Sequence, residues 1–292
     1  MELQWPLILF TTLIAWSSGL FAAQGILAIG ENARKAQLPA LVASVALLAL
    51  SGIAVFFHLE HWERIFNGFG NPTSGITQEL IVIVAFAAIA IVYFAMLRRA
   101  KTEGTVPKWC AVLAIVISVM LAIVCAHSYM MAARPAWNSL LEIASLLGTA
   151  CLAGPLTLAI IMAIVGDDVS PLRRTAIIGA IIGAVCIIAY ALYLQASEGL
   201  FVEINYYFDP TSPTAGMTDV ASAISNSMIV LWLGAVAVGA IAPMILAVVG
   251  ARKNTAAIWK VAGGIAVACA LIGAICLRIA FYLLGMSVYL LY

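Results

Sequence analysis

Eight long apolar runs dominate this sequence and limit what it can fold into. They cover roughly residues 6–29, 37–59, 78–97, 108–131, 139–165, 173–197, 225–249 and 257–289. A helix needs about 20 apolar residues to cross the hydrocarbon core, and only helices or closed barrels satisfy their backbone hydrogen bonds in lipid. The runs lack the alternation of apolar and polar residues that is typical of barrel strands. The sequence therefore predicts an all-α integral membrane protein, a single domain of eight transmembrane helices over residues 1–292.

Composition and charge agree with this fold and give it an orientation. Hydrophobic residues make up 65% of the chain and charged residues 9%, which leaves no room for a soluble domain. The formal net charge of +1 hides an uneven distribution, because 11 of the 14 Lys and Arg flank the first, third, fifth and seventh loops. They are Arg34, Lys35, Arg98, Arg99, Lys101, Lys108, Arg173, Arg174, Arg252, Lys253 and Lys260. Since loops rich in Lys and Arg stay in the cytoplasm, we predict that both termini are extracytoplasmic.

The remaining three cations lie on the predicted outer side, where few Lys and Arg are expected. Arg64, Arg134 and Arg278 share that outer side with all three histidines and with Glu79. Ionisable side chains inside a membrane cost free energy and usually serve a function. These residues therefore predict a polar site near the outer membrane surface. Arg278 lies deepest of the three arginines. Alternatively, the Arg278 side chain extends to the membrane–water interface and binds no ligand.

His58 and Glu79 flank the second loop at one membrane level. We expect His58 to end the second helix and Glu79 to lie in the first turn of the third, with Thr77 as the N-cap. In the first turn the helix dipole favours the carboxylate, whereas burial favours the neutral acid. These opposed effects indicate a carboxyl that can gain and lose a proton. The alternative is a solvated acid at a helix start.

Further outer-side residues suggest a ligand. Arg134 and Trp137 lie in the short fourth loop, and Arg278 and Tyr282 lie four residues apart in the last helix, hence on one face. Histidine, glutamate, arginine and aromatic side chains at the interface suit an amphipathic quinol. Its ring must stack, its hydroxyls need hydrogen-bond partners, and its oxidation releases two protons to a base. A transporter could use the same groups, so these residues alone do not decide between the two.

The cysteines and histidines bear on cofactors. None of the six cysteines forms a C-x-x-C pair, and all fall in or beside apolar runs, so we interpret them as small buried hydrophobes and expect no iron–sulfur cluster or other metal in this chain. His58 and His127 end neighbouring helices and could ligate one haem. Because both lie at helix ends rather than within the bundle, we expect no haem.

Four segments, in order along the chain, resemble one known family. Residues 58–67 read HLEHWERIFN, residues 74–79 read SGITQE, residues 134–139 read RPAWNS and are followed by GPL at 154–156, and residues 278–282 read RIAFY. These segments are similar to motifs of the membrane-anchor subunits of the dimethyl sulfoxide reductase family. The chain departs from that pattern where Glu60 and Trp62 replace Gly and Pro. It departs again at Ala274, where the family often has an acid.

The resemblance implies a haem-free, eight-helix subunit of the bacterial cytoplasmic membrane that oxidises menaquinol during anaerobic respiration. Electrons would pass to a partner iron–sulfur subunit with [4Fe-4S] clusters and then to a molybdenum-cofactor catalytic subunit, so this chain would not itself act on the terminal acceptor. The quinol site would contain His58, Arg64, Glu79, Arg134, Trp137, Arg278 and Tyr282, with Glu79 or His58 accepting a proton. The alternatives are a polysulfide-reductase-like quinone subunit, a secondary transporter and an anchor without a redox role.

The charge distribution gives a topology that can be tested. Single cysteines placed at Asp219 or Tyr292 should react with a membrane-impermeant thiol reagent in intact cells, because both positions are predicted to be outside. A cysteine at Lys101 should react only after the cells are opened. The reverse labelling pattern would place the predicted site on the cytoplasmic side.

Overall fold

The computed structural model describes residues 3–59, 61, 70–100, 106–197, 225 and 227–285. In these parts the chain contains no strand and forms eight helices that are long and apolar enough to cross a membrane. They are α1 (Trp5–Ile29), α2 (Gln37–Phe56), α3 (Gly75–Arg99), α4 (Lys108–His127), α5 (Leu140–Val165), α6 (Leu172–Ala196), α7 (Ser227–Lys253) and α8 (Ala256–Leu284). Within α7 and α8 the stretches Val230–Ile241 and Trp259–Gly263 are π-helical. The predicted all-α membrane fold is confirmed.

Local sequence explains where several helices begin and end. The Ser139 hydroxyl accepts a hydrogen bond from the Leu141 amide at 3.2 Å and so caps the start of α5. Gly166, with a φ of 72°, ends α5 in the left-handed conformation that glycine adopts at little cost. Asn254 ends α7 in the same region of backbone space, and Thr255 caps the start of α8.

Several predicted helix boundaries differ from the structure by two residues or more, and three of these bear on the predicted site residues. The second helix ends at Phe56, so His58 lies in the following turn with an exposed side chain. The third helix begins at Gly75, with Ser74 at the N-cap position. Thr77 is therefore a buried residue inside the helix rather than its cap, and Glu79 lies just beyond the first turn. The fourth helix ends at His127, which leaves Tyr129 in the loop.

Contacts between loops define the two ends of the bundle. At one end the Lys35 ammonium lies 3.3 Å from the Gly166 carbonyl oxygen, and the Ala36 amide donates to Asp167 Oδ2 at 2.7 Å, which joins the first and fifth loops. We call this the cationic end, because the described Lys and Arg that flank the first, third, fifth and seventh loops lie there. At the other end Arg134 donates to the carbonyl oxygen of Gly285, which joins the fourth loop to the end of α8. We call this the site end. The predicted alternation of the loops agrees with these contacts.

Helices α1 and α5 cross closely because small residues meet where they touch. A Cβ added at Gly19 would lie 2.0 Å from the Ala150 carbonyl oxygen, and one at Gly154 would lie 2.1 Å from the Gly19 carbonyl carbon. The pair Gly179 and Gly183 of α6 packs in the same way against backbone atoms of α5. The G-x-x-x-G spacing in α6 thus serves contact inside the bundle, where small residues let helix backbones approach each other.

Two glycines offer a matched test of this packing. Gly19→Ala should destabilise the protein by about 1–3 kcal/mol, because the new methyl group meets backbone that cannot move aside. Gly52→Ala in α2 should be tolerated, since a Cβ there has no neighbour within 4 Å. Thermal unfolding of the purified variants measures both effects. Equal midpoints for the two variants would contradict the importance of the α1–α5 crossing.

Candidate functional site

An ion pair is buried between α5 and α8 near the site end. Arg278 of α8 is 3% exposed, Glu142 of α5 is fully buried, and Arg278 Nη1 donates to Glu142 Oε1. Arg278 Nη2 also lies 3.3 Å from the hydroxyl oxygen of Ser145, one turn further along α5. Each ion removed from water costs several kcal/mol, so the two charges are tolerated here because each neutralises the other.

The pair settles the position of Arg278 and adds a residue that sequence reasoning missed. Arg278 is buried against Glu142 and Ser145 inside the bundle rather than extended along the protein surface. The sequence analysis did not include Glu142, although Ser139 and Glu142 match the S-x-x-E pattern that often marks a helix start. Glu142 and Arg278 are each a lone charged residue inside an apolar run, and this signal could have predicted that they pair.

Aromatic side chains cover the outer side of this ion pair. The rings of Trp137 and Phe281 stack with centroids 4.5 Å apart, and Trp137 Nε1 donates to the Phe281 carbonyl oxygen at 2.7 Å. Tyr282 meets the Trp137 ring edge-on at 5.6 Å, and Tyr129 meets Phe281 edge-on at 5.9 Å. These contacts hold the fourth loop against the end of α8.

Arg134 closes the aromatic cluster from outside. Its guanidinium lies 4.5 Å above the Trp137 ring, and its Nη1 donates to the carbonyl oxygen of Gly285. Partial burial lowers the pKa of Arg134 from its ordinary value, although an arginine remains charged throughout the physiological range. Position 285 must be glycine, because a Cβ there would lie 2.2 Å from the Trp137 ring.

Glu79 lies where the start of α3 meets the end of α4. The Ser128 hydroxyl forms a short hydrogen bond with Glu79 Oε1 and also lies 2.9 Å from the Cys125 carbonyl oxygen. When Glu79 is ionised the hydroxyl can donate to it, and when Glu79 is protonated the hydroxyl can accept from it and donate to the carbonyl. Both protonation states therefore have a hydrogen-bond partner. Gly75 permits this contact, since a Cβ there would lie 2.9 Å from the Ser128 Cβ.

Tyr129 connects the Glu79 contact with the ion pair and its aromatic cover. Burial, the neighbouring Tyr282 hydroxyl and the Glu79 carboxyl, in that order, raise the pKa of Tyr129 well above its usual range. Electrostatic effects of this kind require the groups to be near each other. Tyr129 thus joins Glu79 and Tyr282 in one cluster, with a hydroxyl that stays neutral and can donate.

Two donor groups in this cluster have hydrogen-bonding capacity left over. The Tyr282 hydroxyl is buried beside the Tyr129 hydroxyl and makes no hydrogen bond of ordinary geometry with a described residue. The Arg278 guanidinium has five N–H donors, and the described residues accept from it only at Glu142 and Ser145. Buried polar groups are nearly always hydrogen-bonded, so both groups have capacity for a further acceptor.

The other predicted site residues are not joined to this cluster by contacts that the structure describes. His58 and His127 are exposed near the outer ends of α2 and α4, and the described residues give neither imidazole a hydrogen bond or an ion pair. Arg64 lies outside the described residues. Within the described parts of the chain, no group of three or more His, Cys, Asp or Glu side chains is placed to hold a metal ion.

Comparison with known families assigns the chain. The model of the DMSO reductase anchor subunit (DmsC) family matches residues 1–284. The chain belongs to this family. Among curated proteins, no sequence matches closely enough to add to the assignment. Membership of the DmsC family, together with the eight transmembrane helices, makes the protein a multi-pass membrane anchor that associates with a molybdoenzyme complex, and it confirms the resemblance found in the sequence.

The ion pair predicts how single and double substitutions differ in this DmsC-family protein. Glu142→Leu alone should destabilise it by about 3–5 kcal/mol, because Arg278 stays buried without its counter-ion. Glu142→Leu combined with Arg278→Leu removes both charges and should recover most of that loss. The amount of folded protein in membranes and its thermal midpoint measure both effects. A single variant as stable as the double one would show that the pair is not needed for burial.

Proposed function

We propose that this DmsC-family subunit oxidises menaquinol at the site end of the bundle and passes the electrons to an iron–sulfur subunit docked there. The observation that carries the proposal is the buried Tyr282 hydroxyl, which makes no hydrogen bond of ordinary geometry with a described residue and lies one helical turn from the Arg278 guanidinium with its remaining N–H donors. A quinol has two oxygens that need such donors and an apolar ring that suits the surrounding aromatic residues.

Oxidation of a quinol to a quinone releases two electrons and two protons. Glu79 is the acid suited to take a proton, because its Ser128 partner can serve both of its protonation states. Exposed His58, beyond the end of α2, is suited to receive a proton on its way to water. In this scheme Arg278 and Tyr282 hold the quinol oxygens and stabilise the negative charge that develops as the protons leave.

Arg134 and Trp137 take a supporting role in this scheme. The Trp137 ring already stacks on Phe281 and contacts the Arg134 guanidinium, so it is less suited to stack on a quinol. We infer that they keep the fourth loop closed over the site. Arg64, which matches a family motif in the sequence, is kept as a further contact to the quinol.

Electrons would continue from the quinol to [4Fe-4S] clusters in the iron–sulfur subunit and then to the molybdenum cofactor of the catalytic subunit, in a bacterial cytoplasmic membrane. The family match favours a quinol-oxidising anchor subunit over a polysulfide-reductase-like quinone subunit. A secondary transporter would bind its substrate near the bilayer midplane between broken helices, whereas the charged cluster here lies towards one end. An anchor without a redox role would not need buried hydrogen-bond donors with capacity for a ligand.

Tyr282 and Tyr93 provide a matched pair of substitutions for the quinol proposal. Tyr282→Phe should raise the KM for quinol about tenfold, because one hydrogen bond to the ligand is lost, while stability should be unchanged or slightly higher. Tyr93→Phe removes a buried hydroxyl that donates to Gln37 at 2.8 Å, so it should lower stability and leave the KM unchanged. An unchanged KM in Tyr282→Phe would count against a quinol at this hydroxyl.

The proton acceptors can be separated from assembly. Glu79→Gln or His58→Ala should lower quinol-dependent turnover about 10²–10⁴-fold, the usual cost of losing a positioned acid or base. Arg64→Ala should weaken turnover through poorer binding. Activity with an artificial donor that feeds the soluble subunits directly should survive in all three. Lys101→Ala, in the third loop on the predicted cytoplasmic side, is the control. Normal quinol oxidation in both the Glu79 and His58 variants would refute the assignment.

A further inference from the structure

A second cavity lies away from the charged cluster, between α1, α4, α5 and α6. Its volume is about 330 Å³, and it shares no residue with the site described above. Small residues line much of this space, among them Gly19, Ala22, Ala150 and Gly179. The cavity thus lies beside the close helix crossings that hold the bundle together.

The walls of this cavity suit hydrocarbon. Two serines line it, but the Ser18 hydroxyl donates to the Ala15 carbonyl at 3.0 Å and the Ser118 hydroxyl donates to the Ala114 carbonyl at 2.7 Å. Because each serine is satisfied within its own helix, neither requires a polar partner from inside the cavity. Apart from Thr175 and Arg174, which are adjacent at one end, the other lining side chains are apolar.

The cavity opens towards lipid and ends beside a cation. The rim residues Ile26 and Ile178 are 44% and 56% exposed on the membrane-facing surface. Along α6 the lining runs from Ile182 to Arg174 at the cationic end, a rise of about 12 Å over eight residues. Arg174 is exposed, and the described residues give its guanidinium no acidic or hydrogen-bonding partner.

We propose that this cavity binds an acyl chain of an anionic phospholipid, with the lipid phosphate on Arg174. An apolar groove about half a bilayer long that ends at an unpaired cation is complementary to a molecule with a hydrocarbon chain and an anionic head. Basic pockets between transmembrane helices recognise lipid headgroups in this way. A quinol tail is a poorer fit, because the proposed quinol head lies at the opposite end of the bundle and a tail would leave Arg174 unpaired.

The test measures lipid binding to the purified, detergent-solubilised complex. Native mass spectrometry should detect phosphatidylglycerol retained on the anchor subunit, and added phosphatidylglycerol should bind roughly fivefold tighter than phosphatidylcholine, as expected for one interfacial cation. Arg174→Gln should abolish this preference. Arg173→Gln, which changes a neighbouring exposed cation that does not line the cavity, should keep it.

A second pair of variants tests the cavity itself. Ala22→Phe fills it and should remove the tightly bound lipid, whereas Ala88→Phe, at a lipid-exposed position of α3 outside the cavity, should not. The proposal fails if Arg174→Gln still prefers phosphatidylglycerol, or if Ala22→Phe retains the same lipid. Displacement of the bound lipid by a long-tailed quinone, but not by its tailless analogue, would also overturn it and assign the cavity to the quinol tail.

Discussion

The arrangement of the site end depends on one buried ion pair, between Arg278 of α8 and Glu142 of α5. Either charge alone would be too costly inside a membrane bundle, so helices far apart in sequence must meet in the register that brings the two side chains together. Once α8 is held there, Phe281 and Tyr282 lie one turn towards the site end. The fourth loop then folds over them through the Trp137 ring and its hydrogen bond to the Phe281 carbonyl.

The packing of small residues in the bundle supports this arrangement. Gly19 and Gly154 bring α1 and α5 close together, and Gly179 and Gly183 bring α6 against α5 from another side. Helix α5, which contributes Glu142, is therefore held by its neighbours through backbone contacts that leave little freedom to slide. A site formed on rigid helices keeps its donors in place before any ligand arrives, which is the condition for electrostatic stabilisation without reorganisation.

Some of this could be predicted from the sequence, and the rest depends on contacts that no local pattern contains. Eight apolar runs and the distribution of Lys and Arg predicted the helices and their alternation, because hydropathy and loop charge act locally. Helix ends at His58 and Thr77 were misplaced by a few residues. Glu142 was missed because no local pattern points to its partner, which lies 136 residues away. The remaining hydrogen-bonding capacity of Tyr282 likewise becomes visible only once its neighbours are known.

The two acids of the site, Glu142 and Glu79, have different partners. The proposed function therefore gives them different roles. Glu142 faces a full positive charge, so a proton placed on it would leave Arg278 uncompensated in a medium that does not tolerate an isolated charge. Among the described residues Glu79 has neutral neighbours, and its hydrogen bond to the Ser128 hydroxyl can reverse when the carboxyl gains a proton. Protonation of Glu79 therefore breaks no ion pair among the described residues. An acid that exchanges a proton needs a neutral, reversible partner, whereas an acid that holds a buried cation needs a fixed one. The proposed function accordingly gives proton transfer to Glu79 and leaves Glu142 to hold Arg278.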